Sequence, residues 1–211
     1  MSLKSINPRS LARLVGASLM FSAAAVAAGA MAEEGPPTNL TAASDQQGPP
    51  PADLKSAPRA VTTPAPSFVS NWSPFTSEEY PPLTASNGQL ISAMQCTGSY
   101  CDNVALGYEN VPGVNHTGNG WMSYFSEEDT YWRVCGGNSF MTGISCQGSY
   151  CDNVSIQCTA VTGKTRGSCA WQPWFSEEAQ YSYLPQGNYA AGLACRGSYC
   201  DDFSILACRA L

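Results

Sequence analysis

Cys146-Gln147-Gly148-Ser149-Tyr150-Cys151-Asp152-Asn153-Val154 is the middle of three near copies of one nine-residue phrase. The first reads Cys96-Thr97-Gly98-Ser99-Tyr100-Cys101-Asp102-Asn103-Val104, and the third Cys195-Arg196-Gly197-Ser198-Tyr199-Cys200-Asp201-Asp202-Phe203. Ahead of each phrase, Leu90, Met94 and Cys96, then Phe140, Ile144 and Cys146, then Tyr189, Leu193 and Cys195 fall on one side of a period-two pattern. Val154, Ile156 and Cys158 do the same behind the second. That alternation predicts strand, turn, strand, with Gly-Ser as the turn. Facing antiparallel positions across a four-residue connection bring α-carbons within disulfide reach, which predicts Cys96–Cys101, Cys146–Cys151 and Cys195–Cys200. Zinc is the competing reading of paired cysteines, but Cys-x4-Cys on a strand hairpin disfavours it. Cys135, Cys158, Cys169 and Cys208 then allow three connectivities. Because Cys135 and Cys158 bracket the second hairpin, Cys135–Cys158 with Cys169–Cys208 is favoured.

A second phrase opens each repeat. It reads Trp72-Ser-Pro-Phe75-Thr-Ser77-Glu78-Glu79, then Trp121-Met-Ser-Tyr124-Phe-Ser126-Glu127-Glu128, then Trp171-Gln-Pro-Trp174-Phe-Ser176-Glu177-Glu178. Repeats at about 70–108, 119–158 and 169–208 have the length of one small supersecondary unit. Hairpins with frequent Gly and Pro and no strong helical period predict an all-β fold with threefold internal symmetry. Two architectures fit: a β-prism of three antiparallel sheets around one core, or a β-trefoil.

The chain is 211 residues long, 12% charged, with a net charge of −6, ten cysteines and one histidine. No basic stripe is present to neutralise phosphates, so nucleic acid and anionic lipid are poor partners. A single histidine also disfavours a His-rich metal site and most Ser-His-Asp or Cys-His catalytic sets. Lys4, Arg9 and Arg13, the apolar run Leu14 to Gly29, and Ala30-Met31-Ala32 before Glu33 have the form of a secretory leader, residues 1–32. Its arginines are not adjacent, as twin-arginine export would need, and the apolar run is short for a retained anchor. Removing it takes away three positive charges and leaves about −9. Export, to the extracellular space or a periplasm, places an even cysteine count in an oxidising compartment and leaves no membrane segment after cleavage. Residues 33–67, with Pro36, Pro37, Pro49, Pro50, Pro51, Pro58, Pro64 and Pro66, offer little to bury and read as a disordered spacer. A Pro-rich recognition site is the alternative, but no repeated PxxP pattern supports it. The folded unit is therefore residues 68–211.

Within that unit, Ser77, Ser126 and Ser176 are read as turn caps with exposed glutamates beside them. Glu79, Glu128 or Glu178 with nearby carbonyls could ligate calcium, since hard cations take oxygen ligands, but no EF-hand loop is present. Paired carboxylates also suggest hydrolysis. Three near-identical copies argue against it, because acid and base roles need carboxyls in unlike surroundings. Trp72, Trp121 and Trp171 occupy equivalent positions, which favours packing. Trp132 and Trp174 lack Trp counterparts and are the better candidates for asymmetric ligand contacts. His116, in a Gly- and Asn-containing stretch, is assigned to a surface loop.

The strand-turn-strand from Met141 to Cys158 resembles that of jacalin-related lectins of the griffithsin type, whose repeats carry a Gly-x-Tyr-x-Asp turn before an alternating strand. The Trp-led phrases and the disulfides are closer to the vitelline membrane outer layer protein I family of secreted three-repeat β-prisms. The resemblance covers about residues 70–211 in pattern. It implies a lectin-like module in which each turn presents backbone amides and a carboxylate to sugar hydroxyls. Gly98, Tyr100 and Asp102, then Gly148, Tyr150 and Asp152, then Gly197, Tyr199 and Asp201 map onto that turn. The chemistry is sound by itself: a carboxylate accepts from vicinal hydroxyls, and an aromatic ring covers the apolar face of a pyranose. Three turns at one end would add avidity. The separate Gly-Gly-x-Gly-Gly loop that completes griffithsin-like sites does not occur here. An Asx hydrogen bond within each turn is an equal reading of the three aspartates.

These observations lead to a secreted, non-enzymatic carbohydrate-binding protein with no cofactor and no metal. Its partners would be glycans or a cell-surface polysaccharide. The alternative is a secreted structural or inhibitory protein that binds no sugar. Each hairpin bridge closes a short loop and should contribute about 2 kcal/mol in the chain-entropy picture, with the longer bridges contributing more. Pairwise Cys→Ser variants compared by denaturant unfolding should rank Cys169–Cys208 above Cys96–Cys101 in cost.

Overall fold

The three hairpins occupy the centre of the fold because apolar residues line the strands on both sides of each closing phrase. The computed structural model describes residues 48–56 and 68–211. The expected leader and the rest of the spacer lie outside these residues. Among the described residues the strands are β1 (Asn71–Trp72), β2 (Leu83–Thr84), β3 (Gln89–Thr97), β4 (Asn103–Asn110), β5 (Asn115–Trp121) and β6 (Trp132–Val134). They continue with β7 (Ser139–Gln147), β8 (Asn153–Thr162), β9 (Arg166–Trp171), β10 (Tyr181–Tyr183), β11 (Asn188–Arg196) and β12 (Asp202–Ala210).

They make three antiparallel sheets of four strands, ordered β1-β4-β3-β10, β2-β7-β8-β5 and β6-β11-β12-β9. Each sheet has one hairpin at its centre, and the strand ending in a repeat's tryptophan pairs on one side. The fourth strand comes from a different repeat. After its Ser-Glu-Glu phrase the first repeat sends β2 to the second hairpin, the second sends β6 to the third, and the third sends β10 back to the first. No repeat completes its own sheet, so the last repeat closes the ring on the first. Gly143 and Gly192 permit two of these crossings, because a Cβ there would lie 2.5 Å from Leu83 O and 2.8 Å from Arg133 O.

A register shift falls at the same place in all three hairpins, between Ile91 and Ala93, Met141 and Gly143, and Ala190 and Gly192. Such a bulge reverses which side chains face inward. Ile91, Met141 and Ala190 therefore join Met94, Ile144 and Leu193 in the central cluster. Leu90, Phe140 and Tyr189, expected on that same face, belong instead to a second cluster with Val111, Val134 and Leu206. Phe125, Phe175 and Phe203 fill the central cluster and are fully buried.

The five disulfides are Cys96–Cys101, Cys146–Cys151, Cys195–Cys200, Cys135–Cys158 and Cys169–Cys208. No cysteine is left free among the described residues. Cys135 follows β6 of the third sheet while Cys158 lies in β8 of the second, so this bridge joins two sheets. Cys169 faces Cys208 directly across β9 and β12. Five bridges suit an oxidising environment. No helix among the described residues is long and apolar enough to cross a membrane.

His116 sits in β5 and not in a loop, with Nε2 3.0 Å from Gln89 O, so it ties the second sheet to the first hairpin. Leu184, next to the closing strand β10, is fully buried in the central cluster, and its N–H donates to Ser92 O at 2.9 Å. Leu184→Ala should cost about 2–5 kcal/mol. Urea unfolding of the oxidised protein should show this as a lower midpoint with one cooperative transition.

Candidate functional site

The hairpin turns depart from an ordinary Gly-Ser reversal. Gly98, Gly148 and Gly197 have φ of 84°, 82° and 81°, a region that favours glycine. Two non-glycine residues then follow in the left-handed region: Tyr100 and Cys101 at φ 59° and 55°, Tyr150 and Cys151 at 59° and 56°, Tyr199 and Cys200 at 59° and 56°. Each such residue costs about 1–3 kcal/mol unless its surroundings impose it. Here the adjacent disulfide closes the turn, and in two copies the aspartate N–H donates back to the serine carbonyl at 3.2 Å, Asp102 to Ser99 and Asp152 to Ser149. The reversal therefore lies at Tyr-Cys, two residues beyond the predicted Gly-Ser pair.

The three turns meet at one apex. Ring centroids of Tyr100, Tyr150 and Tyr199 form a nearly equilateral triangle with sides of 5.5, 5.3 and 5.5 Å. Each ring is 40–42% exposed. Beneath them the contacts run cyclically. Cys101 Sγ lies 2.9 Å from Asp201 O, Cys151 Sγ 3.1 Å from Asp102 O, and Cys200 Sγ 3.3 Å from Asp152 O. An oxidised sulfur carries no proton, so these are close sulfur–carbonyl contacts and not hydrogen bonds. Side chains also cross between repeats: the Tyr150 N–H donates to Glu78 Oε1 at 3.3 Å, and the Tyr199 N–H to Glu127 Oε1 at 2.8 Å. Glu177 lies beside Cys96 and Cys101 of the first repeat. At this spacing the turns form one composite surface, not three separate sites.

The same glutamates set the electrostatics. Asp102, Asp152 and Asp201 are half-buried, and each faces a glutamate of its own repeat. Burial, then the hydrogen bond and charge of Glu78, raise the Asp102 pKa; burial, then Glu127 and Glu128, raise that of Asp152. The amides of Asn103 and Asn153 donate to these two carboxylates at 3.3 Å. The third copy has Asp202 at that position, which pairs with Arg196 at 3.0 Å and adds negative charge beside Asp201. Asp201 is accordingly pushed up to about 6, by burial first, then by Glu177 and Asp202. Glu177 Oε2 and Asp201 Oδ1 are buried without a hydrogen-bond partner, and the Glu177 carboxylate beside Asp201 is one cause of the raised pKa.

The turn serines behave as caps, with Ser77 Oγ and Ser176 Oγ accepting from the N–H of Glu79 and Glu178 at 3.3 Å. Glu79, Glu128 and Glu178 are exposed, whereas Glu127 and Glu177 are half-buried and reach the neighbouring turn. Trp72 and Trp171 are half-buried on sheet edges, Trp72 packing edge-on against Tyr181 and Tyr183 at 5.7 and 6.2 Å. Trp121 is exposed at 42%, so the three equivalent tryptophans do not share one core role. Trp132 is half-buried against the second cluster.

Beside the third turn lies a cavity of about 700 Å³ lined by Glu127, Glu128, Tyr131, Trp174, Arg196 and Ser198, among others. The Arg196 guanidinium sits 4.4 Å over the Trp174 ring, a cation–π arrangement. Trp174, singled out in the sequence for its lack of counterparts, is thus at the site. Arg196 was not singled out, although its signal was present: it is the variable second residue of the closing phrase, where the other copies have Thr97 and Gln147. Comparison of the chain with family models, with curated proteins and with solved structures returns no match.

A raised aspartate pKa means the folded state holds the proton more tightly than the unfolded one. Between about pH 4 and 6, stability therefore falls as pH rises through the Asp201 range. Asp201→Asn should melt above wild type near neutral pH and flatten the profile in that window, as read by thermal melts across pH.

Proposed function

We propose that this is an exported, disulfide-stapled β-prism that binds glycans by recognition, without turnover. The observation that carries the reading is the cavity beside the third turn, with half-buried Tyr131 as its aromatic wall, Trp174 behind the Arg196 guanidinium, and Glu127, Glu128 and Arg196 as charged groups. Its volume lies within the range of small-ligand sites. Aromatic faces cover the apolar side of a pyranose while carboxylate and guanidinium groups exchange hydrogen bonds with its hydroxyls. The partly exposed Tyr100, Tyr150 and Tyr199 rings extend this surface across the apex for a longer chain. Gly98, Gly148 and Gly197 shape the turns, and Asp102, Asp152 and Asp201 act through the charge they share with the glutamates. Cell-surface polysaccharide is the partner class. Because the turns converge, avidity has to come from several copies of the protein and not from three sites on one.

A secreted structural or inhibitory role is the second reading. It is favoured by the tyrosine triangle, whose touching rings leave no gap for a sugar between them and form a rigid, cross-braced plug.

A glycan array with wild type, Glu128→Gln and Tyr131→Ala separates the two. Retention by wild type that falls about tenfold, or about 1.4 kcal/mol, in each variant supports the cavity. Undiminished retention in both moves the site elsewhere, and no retention on any glycan favours the structural role.

A further inference from the structure

Residues 48–56, read from composition as part of a disordered spacer, lie against the third repeat. Trp171 Nε1–H donates to Gly48 O at 3.0 Å, and Pro50 is buried. The Leu54 N–H donates to Pro51 O at 3.0 Å, turning the segment so that Ser56 pairs in parallel with Trp174. Arg196 Nη2 then donates to Ser56 Oγ at 3.1 Å. Pro50 and Pro51 form part of the wall of the cavity.

The other repeats provide an internal control. Phe75 and Tyr124 occupy the position of Trp174, and both are 42% exposed, whereas Trp174 is 3% exposed. Neither of those repeats has an arginine at the position of Arg196. The arrangement at the third repeat has the chemistry of polyproline recognition. Consecutive prolines have their φ set by the ring and favour an extended helix that loses little entropy on docking. Aromatic side chains form the groove for such a chain, and here an indole N–H takes a backbone carbonyl next to the prolines.

We infer that Trp171, Trp174 and Arg196 form a binding site for an extended proline-rich chain, occupied in cis by the protein's own Gly48–Ser56. Arg196 confines the site to the third repeat by holding Ser56 while stacking on Trp174. The same groove accepts a proline-rich peptide in trans once the resident segment is weakened. The proline-chain site does not rest on the glycan reading, although the two share Trp174 and Arg196.

The test uses the full exported chain as wild type, as Pro49→Ser/Pro50→Ser/Pro51→Ser, and as Arg196→Thr, which installs the residue of the first repeat. Limited trypsin cleavage after Lys55 should be slow in wild type and several-fold faster in both variants, with melting temperature and near-ultraviolet circular dichroism reporting the integrity of the β domain. A fluorescent peptide of residues 47–57 should bind the triple-proline variant and bind wild type at least about tenfold more weakly, because the tethered segment competes at millimolar effective concentration. Adding Arg196→Thr to the triple variant should abolish that binding. Equal cleavage rates in wild type and folded variants would overturn the inference, as would a peptide that binds none of them or binds wild type as well as the triple variant.

Discussion

Two consecutive non-glycine residues held at positive φ inside a disulfide-closed turn are the constraint on which the apex depends. Tyr100-Cys101, Tyr150-Cys151 and Tyr199-Cys200 are placed in the left-handed region three times over. That backbone brings the tyrosine rings together and sets each bridge sulfur against the carbonyl of another repeat. Local strain and long-range packing support each other here: the bridges impose the turn, and the neighbouring turns make it the lowest arrangement available. The exchanged edge strands act in the same direction. Since β2, β6 and β10 each complete the sheet of a different repeat, the apex cannot assemble from one repeat alone.

The symmetric frame carries its chemistry in departures from symmetry. Asp202 in place of asparagine removes an amide donor from beside Asp201 and supplies a partner for Arg196. Arg196 in turn stacks on Trp174 and reaches Ser56. Three substitutions confined to the third copy thus create one cavity and one docking groove where the other copies have exposed aromatics. The carboxyl pairs beneath the apex are common to all copies, but only the third adds Asp202 to the glutamates that act on its aspartate.

Much of this was legible in the chain because its signals are local. A cysteine pair five positions apart on alternating strands predicts its own bridge, and Cys135 and Cys158 bracket the second hairpin. Other features left no local signal. β2 and β10 are two and three residues long, too short to show a period, and their pairing is with another repeat. The bulge before Gly143 and Gly192 shifts Phe140 and Tyr189 off the face that alternation predicts, since a period-two reading assumes an unbroken pleat. The aspartates were read as facing ligand or their own turn, whereas they face glutamates brought from another part of the repeat.

By itself the sequence determined the strands around each closing phrase, the turn cysteines that lock together, the threefold repetition and the all-β class, because each depends on residues a few positions apart. Only the tertiary structure decided that the turns share one apex, that Glu78, Glu127 and Glu177 brace neighbouring repeats, and that Gly48–Ser56 covers Trp174. Those contacts join residues far apart in the chain. They arise from closing three sheets into a ring, a condition that no single stretch of sequence expresses.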